Sequence, residues 1–518
     1  MAESTHPLVV ASQFPVAGPV SAKAAAASWP FFKPTFLDLF FISTIVWLFA
    51  LSPTGWSSLL ADGDTGWHIR AGEYMWNNKR FIHEDFFSFS NAGQHWYAWE
   101  WLSELLFAGL NAFGGLKAVV LFSGVVISLS MTVLFRHMVW RGTSPLVAMA
   151  VSLVATGAAS NHYLARPHVV TFLFLCASLF LIDIDRREKT RWLWALIPLT
   201  LVWANMHGGF FSLIACLGLI AAGHAVAFEW SKMFRYGMLG FFCLLVSVVN
   251  PYGIGLHKHM VDYLQSGWIK SVVEEFQSPS FRSENVMQFE GLMFVGIIVV
   301  GLFIQRKKYS EAFLILFWAH NALVSARHIS VFVLIACPLI AAEISAWLNS
   351  LCQDKPKNSI PRILKAMSDD LYPACIRISI WLVIPILGLA LWSDPNRWPG
   401  DFPKERFPVA MVTKYAKTLT ESRVLAPDEW GDYMIYRFYP KVRVFFDGRS
   451  DFYGPVLGKD YISLMQASYD WEQVLKKHDF TAAFIPPNWP LASILKRHAE
   501  WKVVEDDGEA ILFVKRYK

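Results

Sequence analysis

Residues 36–68 read FLDLFFISTIVWLFALSPTGWSSLLADGDTGWH, an apolar run followed by acidic and turn-forming residues. The run Phe36–Leu51 has the composition of a retained signal-anchor helix. Asp62 and Asp64 follow it on a segment that Gly63 allows to turn tightly. We therefore expect both carboxylates to lie at one face of a bilayer, outside the hydrocarbon core.

The composition of the whole chain is that of a membrane protein. Of its 518 residues, 54% are hydrophobic and 17% are charged, and the mean hydropathy is +0.36. Soluble domains carry about a quarter charged residues. Apolar runs recur at lengths near the roughly 20 residues that cross a bilayer as a helix. The sequence predicts a polytopic α-helical membrane protein, and its net charge of +5 is spread over short loops, which excludes a nucleic-acid partner.

Lys and Arg concentrate in alternate loops, which the positive-inside rule places in the cytoplasm. The alternation holds if Tyr97–Phe113 lies along the outer face as an interfacial helix. We then predict about eleven spans, with the N-terminus inside and the C-terminus outside. The spans are 36–54, 117–135, 144–160, 168–185, 192–206, 209–228, 237–249, 288–304, 312–325, 328–348 and 375–393.

The predicted domains follow from this topology. Residues 1–35 lack a signal-peptide pattern and form a disordered cytoplasmic tail, 36–393 form the transmembrane domain, and 55–116 form its first extracytoplasmic loop. Residues 394–518 form a small extracytoplasmic α/β domain. Its predicted strands are Arg423–Pro427, Val442–Asp447, Ala482–Pro486, Trp501–Val504 and Ala510–Arg516, and its helices are Trp430–Phe438, Trp471–His478 and Ala492–His498.

Asp62 and Asp64 are the candidate catalytic residues. Paired carboxylates act as a general base, hold a divalent cation or bind sugar hydroxyls. The structural alternative is an Asx turn or N-cap for a helix at His68–Trp76. Whether a divalent cation binds to Asp62 and Asp64 stays open at this point. The functional interpretation is favoured because the same loop supplies further candidate substrate-binding residues, which are His68, Glu73, Asp85 and Glu100.

Aromatic side chains flank the end of this loop. Trp96, Trp99 and Trp101 are suited either to stack on sugar rings or to anchor an interfacial helix. Glu100 and Glu104, taken singly, are typical of the solvated face of such a helix.

Later loops on the predicted outer face carry Arg–His pairs. Arg166 and His168 flank Pro167 at the start of a span, and Arg327 and His328 repeat the arrangement. Arginine binds phosphate through two parallel hydrogen bonds, so both pairs are candidates for an anionic ligand. The alternative is a snorkelling Arg beside a helix-initiating proline. His207 in the turn Asn205–Gly209 and the acidic pair Glu274–Glu275 are further candidates.

In the C-terminal domain, Asp447, Arg449 and Asp451 form either a substrate-facing rim or an internal salt-bridge network, and we favour the second. GxxxxGK[ST], GxGxxG and HExxH motifs are absent from the sequence, so nucleotide-driven chemistry has no support.

With these residues, the chain resembles the GT-C-fold glycosyltransferases, and in particular bacterial members related to protein mannosyltransferases, aminoarabinose transferases and the oligosaccharyltransferase catalytic subunit. The matching elements are Asp62-Gly63-Asp64, His68-Ile69, Gly72-Glu73, Asp85 and Trp99–Leu102. The resemblance implies a polyprenyl-phosphate-linked sugar donor and inversion at the anomeric carbon. It also implies that Asp62 or Asp64 is the base and that Arg166 or Arg327 binds the leaving phosphate. A WWDYG-type acceptor motif is not found, so the resemblance does not extend to a peptide acceptor.

The sequence therefore predicts a membrane glycosyltransferase of the bacterial plasma membrane, acting on an extracytoplasmic lipid, glycan or protein. A transporter or flippase for a lipid-linked substrate is an alternative, but transporters usually show repeats and charges at mid-membrane. An O-antigen polymerase or ligase is a second alternative, although such proteins typically have their large loop in the middle of the chain.

Overall fold

The computed structural model describes residues 32–51, 55–353, 355–377, 379–392 and 398–516 of a mostly helical chain with one small sheet. Most of the predicted tail 1–35 and the predicted domain boundary at 394 lie outside the described residues.

Every predicted span overlaps an apolar helix. The helices are Phe36–Val46 with a π-helical continuation Trp47–Leu51, Trp101–Trp140, Pro145–Ala159, Val169–Arg187, Leu196–Met206, Phe210–Val226, Trp230–Val246, Glu284–Gln305, Tyr309–Val324, His328–Cys352 and Val383–Leu391. Within the described ranges, three are long and apolar enough to cross a bilayer by themselves, and these are Trp101–Trp140, Glu284–Gln305 and His328–Cys352. The chain is thus a helical membrane protein, and the number of spans stays a prediction.

The long helix Trp101–Trp140 is broken in its first half. Gly114 and Gly115 have non-helical backbone angles, and the φ of +65° at Gly115 lies in the left-handed region that favours glycine. The break separates the segment up to Phe113 from the segment that contains the predicted span 117–135. Its position agrees with the predicted end of the first loop.

The C-terminal segment has a four-stranded sheet in the order β1-β2-β4-β3. The strands are β1 Val424–Leu425, β2 Ala482–Ile485, β3 Trp501–Asp506 and β4 Ile511–Lys515. Strands β1 and β2 are parallel, while β4 pairs antiparallel with both β2 and β3. The helices are Val409–Lys414, Ala416–Glu421, Asp428–Phe438, Ser450–Gln466, Trp471–Lys477 and Pro490–Leu495. The predicted α/β class of this segment is therefore correct.

One predicted strand in this segment is wrong. Val442–Asp447 does not join the sheet, and its one β-bridge links Val444 to Ser88 of the first loop. The helix Ser450–Gln466 follows it in the chain. Val444, Phe445 and Phe446 of this segment are buried. Their apolar character therefore reflects packing against the first loop instead of pairing in the sheet.

The C-terminal segment packs directly on the first loop. Helix Asp428–Phe438 lies against helix Asp64–Asn78, and an added Cβ at Gly66 would lie 2.9 Å from the Asp432 carbonyl oxygen. The Arg70 Nε donates a hydrogen bond of 2.7 Å to the Tyr436 carbonyl. One buried core runs from the apolar helices into this contact, so the two regions form a continuous structure.

Candidate functional site

A cavity of about 720 Å³ lies where the loops of the predicted outer face meet the C-terminal segment. Its wall contains residues from the first loop, from later helix ends and from the C-terminal segment. Of the predicted site residues, it is lined by Asp64, His68, Glu100, Arg166, His168, His207, Arg327 and His328. Loops that are distant in sequence therefore meet at one site.

Arg166 links the two predicted catalytic aspartates. Its Nη1 lies 2.7 Å from Asp62 Oδ2, and its Nη2 lies 2.7 Å from Asp64 Oδ2. Asp62 Oδ1 also accepts a hydrogen bond of 2.9 Å from the Asp64 backbone N–H, which is the predicted Asx turn. The following helix begins at Asp64, not at His68. The Asp62 carboxylate thus contacts the helix start and Arg166, whereas Asp64 lines the cavity.

The surroundings of Asp64 adjust its acidity. Burial raises the pKa of Asp64 to about 7, the nearby Arg166 opposes this shift, and Asp62 adds to it. The Trp67 Nε1 donates a hydrogen bond of 3.1 Å to Asp64 Oδ1. A carboxylate with a pKa near neutrality is suited to act as a general base.

The C-terminal segment contributes the other side of Asp64. Asp432 is buried, and its Oδ1 accepts a hydrogen bond of 3.0 Å from the Gly448 backbone N–H. A Cβ at Gly448 would lie 1.8 Å from Asp64 Oδ1, so a larger residue there would displace the Asp64 carboxylate. Burial and the neighbouring Asp64 raise the pKa of Asp432 well above its usual value. Asp432 carries the proton, and Asp64, facing Arg166, ionises.

Sequence reasoning did not identify Asp432. Its position on the helix Asp428–Phe438 resembles that of other acidic residues near a helix start, so the sequence offers no local signal.

His68 lies between two buried glutamates. Its Nε2 is 3.4 Å from Glu100 Oε2, and its Nδ1 is 3.6 Å from Glu104 Oε1. Burial raises the pKa of Glu100 to about 8, whereas burial and the charge of Arg166 lower the pKa of His68 well below its usual value. The expectation that Glu100 and Glu104 lie on a solvated helix face is wrong, because both are buried against helix Asp64–Asn78.

A second ion pair lies elsewhere on the cavity wall. Arg327 Nη1 is 3.4 Å from Glu275 Oε1, and the guanidinium lies over the Phe276 ring. Burial alone would raise the pKa of Glu275, but the charges of Arg327 and Arg166 and the hydrogen bond with His162 together outweigh burial and hold the pKa well below its usual value. Of the predicted pair Glu274–Glu275, it is Glu275 that lines the cavity. Glu275 thus holds Arg327 in place and partly offsets its positive charge.

His207 and His168 also lie on the cavity wall, and each makes a hydrogen bond within the protein. Burial, with the charges of Arg327 and Arg166, lowers the pKa of His207 to about 3. Its Nδ1 lies 2.8 Å from Thr171 Oγ1. The His168 Nε2 donates a hydrogen bond of 2.7 Å to the His162 carbonyl. His207 is therefore a neutral hydrogen-bonding group.

Glu73 and Asp85, which the sequence groups with the acidic loop, do not line the cavity. Glu73 Oε2 lies 2.5 Å from Arg70 Nη1 on the same helix. Asp85 is buried, accepts a 3.0 Å hydrogen bond from the Ser88 backbone N–H, and lies 2.8 Å from Arg449 Nη1. Their carboxylates bind other groups of the protein, so the structure does not bring these two predicted residues to the cavity.

Asp447, Arg449 and Asp451 of the C-terminal segment have different surroundings. Arg449 Nη2 lies 2.6 Å from Asp447 Oδ2, and this pair, with Asp85, forms the internal network that the sequence favours. Asp451 lines the cavity, and its Oδ2 lies 3.0 Å from His259 Nε2.

An aromatic wall stands beside Asp451. Tyr97, Trp99 and Tyr263 line the cavity, and the Trp99 ring centroid lies 5.5 Å from that of Tyr263. His259 stacks on Tyr97 at 4.6 Å. Aromatic faces beside a carboxylate are suited to bind a sugar ring, as predicted for Trp99. Tyr263 and His259 were missed, because nothing near them in sequence marks helix Ile254–Gln265 as part of a site.

The residues around Asp62 and Asp64 do not fit a divalent cation. Arg166 already occupies one oxygen of each carboxylate, which places a positive charge where a cation would bind. Across the part of the chain that the structure describes, no group of three His, Cys, Asp or Glu side chains is arranged to hold a metal ion. The cationic group at this site is the guanidinium of Arg166.

The structure combines apolar helices, an acidic first loop and a C-terminal α/β segment that packs on this loop. This combination defines the fold class of the protein. It is the GT-C fold, as the sequence resemblance predicted.

Solved structures with this fold include the oligosaccharyltransferase of Archaeoglobus fulgidus. Its apo form has a TM-score of 0.53 and 11% identity, over 87% of this chain and 69% of that one. The same organism's oligosaccharyltransferase AglB, in complex with an inhibitory peptide and a dolichol-phosphate, has a TM-score of 0.52 and 12% identity, over 92% and 73%. At this identity the likeness concerns the fold alone. No protein-family model and no curated protein matches the chain.

Proposed function

We propose that this protein is a membrane glycosyltransferase that moves a sugar from a polyprenyl-phosphate-linked donor to an extracytoplasmic acceptor. The acceptor is a lipid, a glycan or a protein, and the site is the plasma membrane of a bacterium. The observation that carries the proposal is the meeting of Asp64, Arg166 and Arg327 in one cavity. A base and two cationic groups are what transfer from a lipid phosphate requires.

In the proposed mechanism, ionised Asp64 takes the proton from the acceptor hydroxyl. The acceptor oxygen attacks the anomeric carbon with inversion, the bond from that carbon to the phosphate oxygen breaks, and the lipid phosphate leaves with the electron pair. Arg166 and Arg327 stabilise the negative charge that develops on the phosphate.

The cavity also has a region suited to the lipid part of the donor. Phe211, Phe317, Trp318 and Val324 contribute apolar wall on the side of the helices. An isoprenoid chain would be accommodated there by apolar burial. The structural neighbour solved with a dolichol-phosphate and an inhibitory peptide supports a lipid-phosphate donor by analogy of fold.

The location of the charges supports an enzyme over a transporter. Asp64 lies in the first turn of its helix, and Arg166, Glu275 and Arg327 lie in connecting segments. Transporters more often carry such groups in broken helices at the bilayer midplane.

The test compares lipid-linked sugars and surface glycans, by mass spectrometry, in cells with the protein, without it, and with Asp64→Asn. We expect one lipid-linked sugar to accumulate without the protein and with Asp64→Asn, while one surface glycan or glycoconjugate is lost. The variant keeps the volume of the side chain, so its melting temperature serves as the folding control. Full restoration of the glycan by Asp64→Asn would refute Asp64 as the base.

A further inference from the structure

The helix Ile360–Leu371 has an apolar face that is exposed among the described residues. Ile360, Ile363, Leu364 and Met367 are 73%, 47%, 47% and 49% exposed. Their spacing of i, i+3, i+4 and i+7 places them on one side of the helix. An exposed apolar stripe of this kind marks a contact with a membrane or another protein.

A different edge of the helix holds it to the rest of the chain. Ser368 is buried, and its Oγ lies 2.5 Å from Ser144 Oγ. The Cys352 Sγ donates to the Pro361 carbonyl at 3.4 Å. The helix is therefore fixed in place without using its apolar face.

The orientation of the helix favours the membrane as the partner. The segment Ile360–Cys375 is bent by 81° from the apolar segment Ile380–Leu391. If the second segment crosses the bilayer, the first lies close to the membrane plane. Amphipathic helices in this orientation bury their apolar face at the boundary between headgroups and acyl chains.

The charges beside the stripe identify the lipid class. Lys355 and Lys357 precede the helix and are exposed, and Arg362 and Lys365 lie on its polar side. Asp369 lies 2.9 Å from Lys365, so it offsets one of these charges. The predicted topology puts this segment in the cytoplasm, where the inner leaflet carries anionic lipids that attract basic residues.

We propose that helix Ile360–Leu371 is an in-plane anchor whose apolar face inserts into the cytoplasmic leaflet while its basic residues bind anionic phospholipid headgroups. This surface lies apart from the cavity and does not depend on the proposed sugar transfer. Attraction to anionic headgroups adds to apolar insertion, so the depth of insertion depends on lipid composition.

The experiment uses the full-length protein with Met367→Cys, labelled with an environment-sensitive fluorophore and reconstituted in vesicles whose acyl chains carry a shallow nitroxide quencher. The native cysteines are all buried, and labelled wild-type protein measures their background. Asp369→Cys is the matched control, because the Asp369 side chain is 66% exposed on the polar face. We expect several-fold stronger quenching at position 367 than at position 369.

Lipid composition supplies the second comparison. Adding phosphatidylglycerol to phosphatidylcholine vesicles should increase quenching at position 367, and Lys357→Gln with Arg362→Gln should abolish that increase. Equal quenching at the two positions would overturn the anchor. A shielded but unquenched label at position 367 would also overturn it, because a protein would then cover the face. Quenching that is indifferent to phosphatidylglycerol would overturn the role of the basic residues.

Discussion

The two aspartates of the first loop have different surroundings. Asp62 closes the turn before helix Asp64–Asn78 and holds one side of Arg166. Asp64 faces the cavity and holds the other side of the same guanidinium. The sequence could not distinguish the two, because both fit an acidic turn; the distinction comes from Arg166, more than a hundred residues away in the chain.

The acidity of Asp64 predicts a pH profile for transfer. Asp64 must be ionised to take a proton, and its pKa is about 7, so the rate should rise with pH through about 7 and then level off. Asp62→Asn removes a negative neighbour, which lowers the pKa and moves the midpoint to lower pH. Arg166→Gln removes the positive neighbour and should move the midpoint up by roughly 1–3 units. Initial rates across pH in the three proteins give the midpoints, and a common midpoint would contradict this account.

The position of Arg166 predicts that transfer does not need a divalent cation. Because the guanidinium already pairs with both Asp62 and Asp64, a chelator should leave the wild-type rate unchanged. Arg166→Gln exposes both carboxylates and, at a pH above the raised pKa of Asp64, should create Mn²⁺ binding, observable by electron paramagnetic resonance, whereas Arg327→Gln should not. Stoichiometric Mn²⁺ binding by the wild type, with loss of transfer on chelation, would show this interpretation to be wrong.

At the element scale, the contact between helices Asp64–Asn78 and Asp428–Phe438 depends on glycine. Gly63 and Gly66 face the second helix, and a Cβ at Gly63 would lie 2.6 Å from the Glu429 carbonyl oxygen. The close approach brings Asp432 beside Asp64. The C-terminal segment thereby supplies part of the wall around the proposed base.

Gly66→Ala tests this contact. The added methyl would lie 2.9 Å from both the Asp432 carbonyl oxygen and Tyr436 Cβ, and one of these is backbone that cannot rotate away. We expect a loss of about 1–3 kcal/mol in the free energy of unfolding and a large loss of transfer. Gly109→Ala is the control, because no atom lies within 4 Å of the place its Cβ would take and alanine favours a helix by up to about 1 kcal/mol. Equal melting temperatures for Gly66→Ala and wild type would contradict the prediction.

The apolar helices could be predicted from the sequence, whereas segments whose burial depends on distant parts of the chain could not. Apolar runs such as Phe210–Val226 form helices because a bilayer leaves no other partner for their backbone. The run Val442–Asp447 has the same composition as a strand, yet it packs against Phe87 and Ser88 of the first loop. Glu104 has the spacing of a solvated helix face, yet helix Asp64–Asn78 covers it through contact at Gly72. In both cases a distant segment decides burial, and local periodicity carries no information about it.

At the scale of the whole molecule, the cavity constrains the topology. Two apolar helices separate the first loop from Arg166, and two more separate each of the following cavity loops from the next. Two also lie between Arg327 and the C-terminal segment. Because all these loops line one cavity, each helix pair must leave one face and return to it. In the predicted topology, too, an even number of spans lies between successive cavity loops. This agreement does not determine the total number of spans.

The position of a residue in the fold explains whether its place at the site could be predicted from the sequence. Arg166, His207 and Arg327 stand at helix ends in a membrane chain, where an ionisable residue is a sign of function. Asp432 and His259 lie on amphipathic helices, where a polar residue normally faces water. Asp432 reaches the site region because the C-terminal segment folds back onto the first loop. His259 reaches it because its helix packs against Tyr97 and Trp99 of the first loop.

The shared face of the cavity loops predicts which side of the membrane each exposed position occupies. Tyr469 is 99% exposed in the C-terminal segment, and Lys189 is exposed in a loop predicted to be cytoplasmic. With the native cysteines buried, a membrane-impermeant maleimide should label Tyr469→Cys in intact spheroplasts and Lys189→Cys only after permeabilisation. Mass spectrometry measures the labelled fraction of each variant in intact and in permeabilised spheroplasts. Wild-type protein treated with the same maleimide sets the background. Labelling of both variants in intact spheroplasts would mean that helix Val169–Arg187 returns to the face of Arg166 without crossing, and the inferred parity of the helix pairs would be wrong.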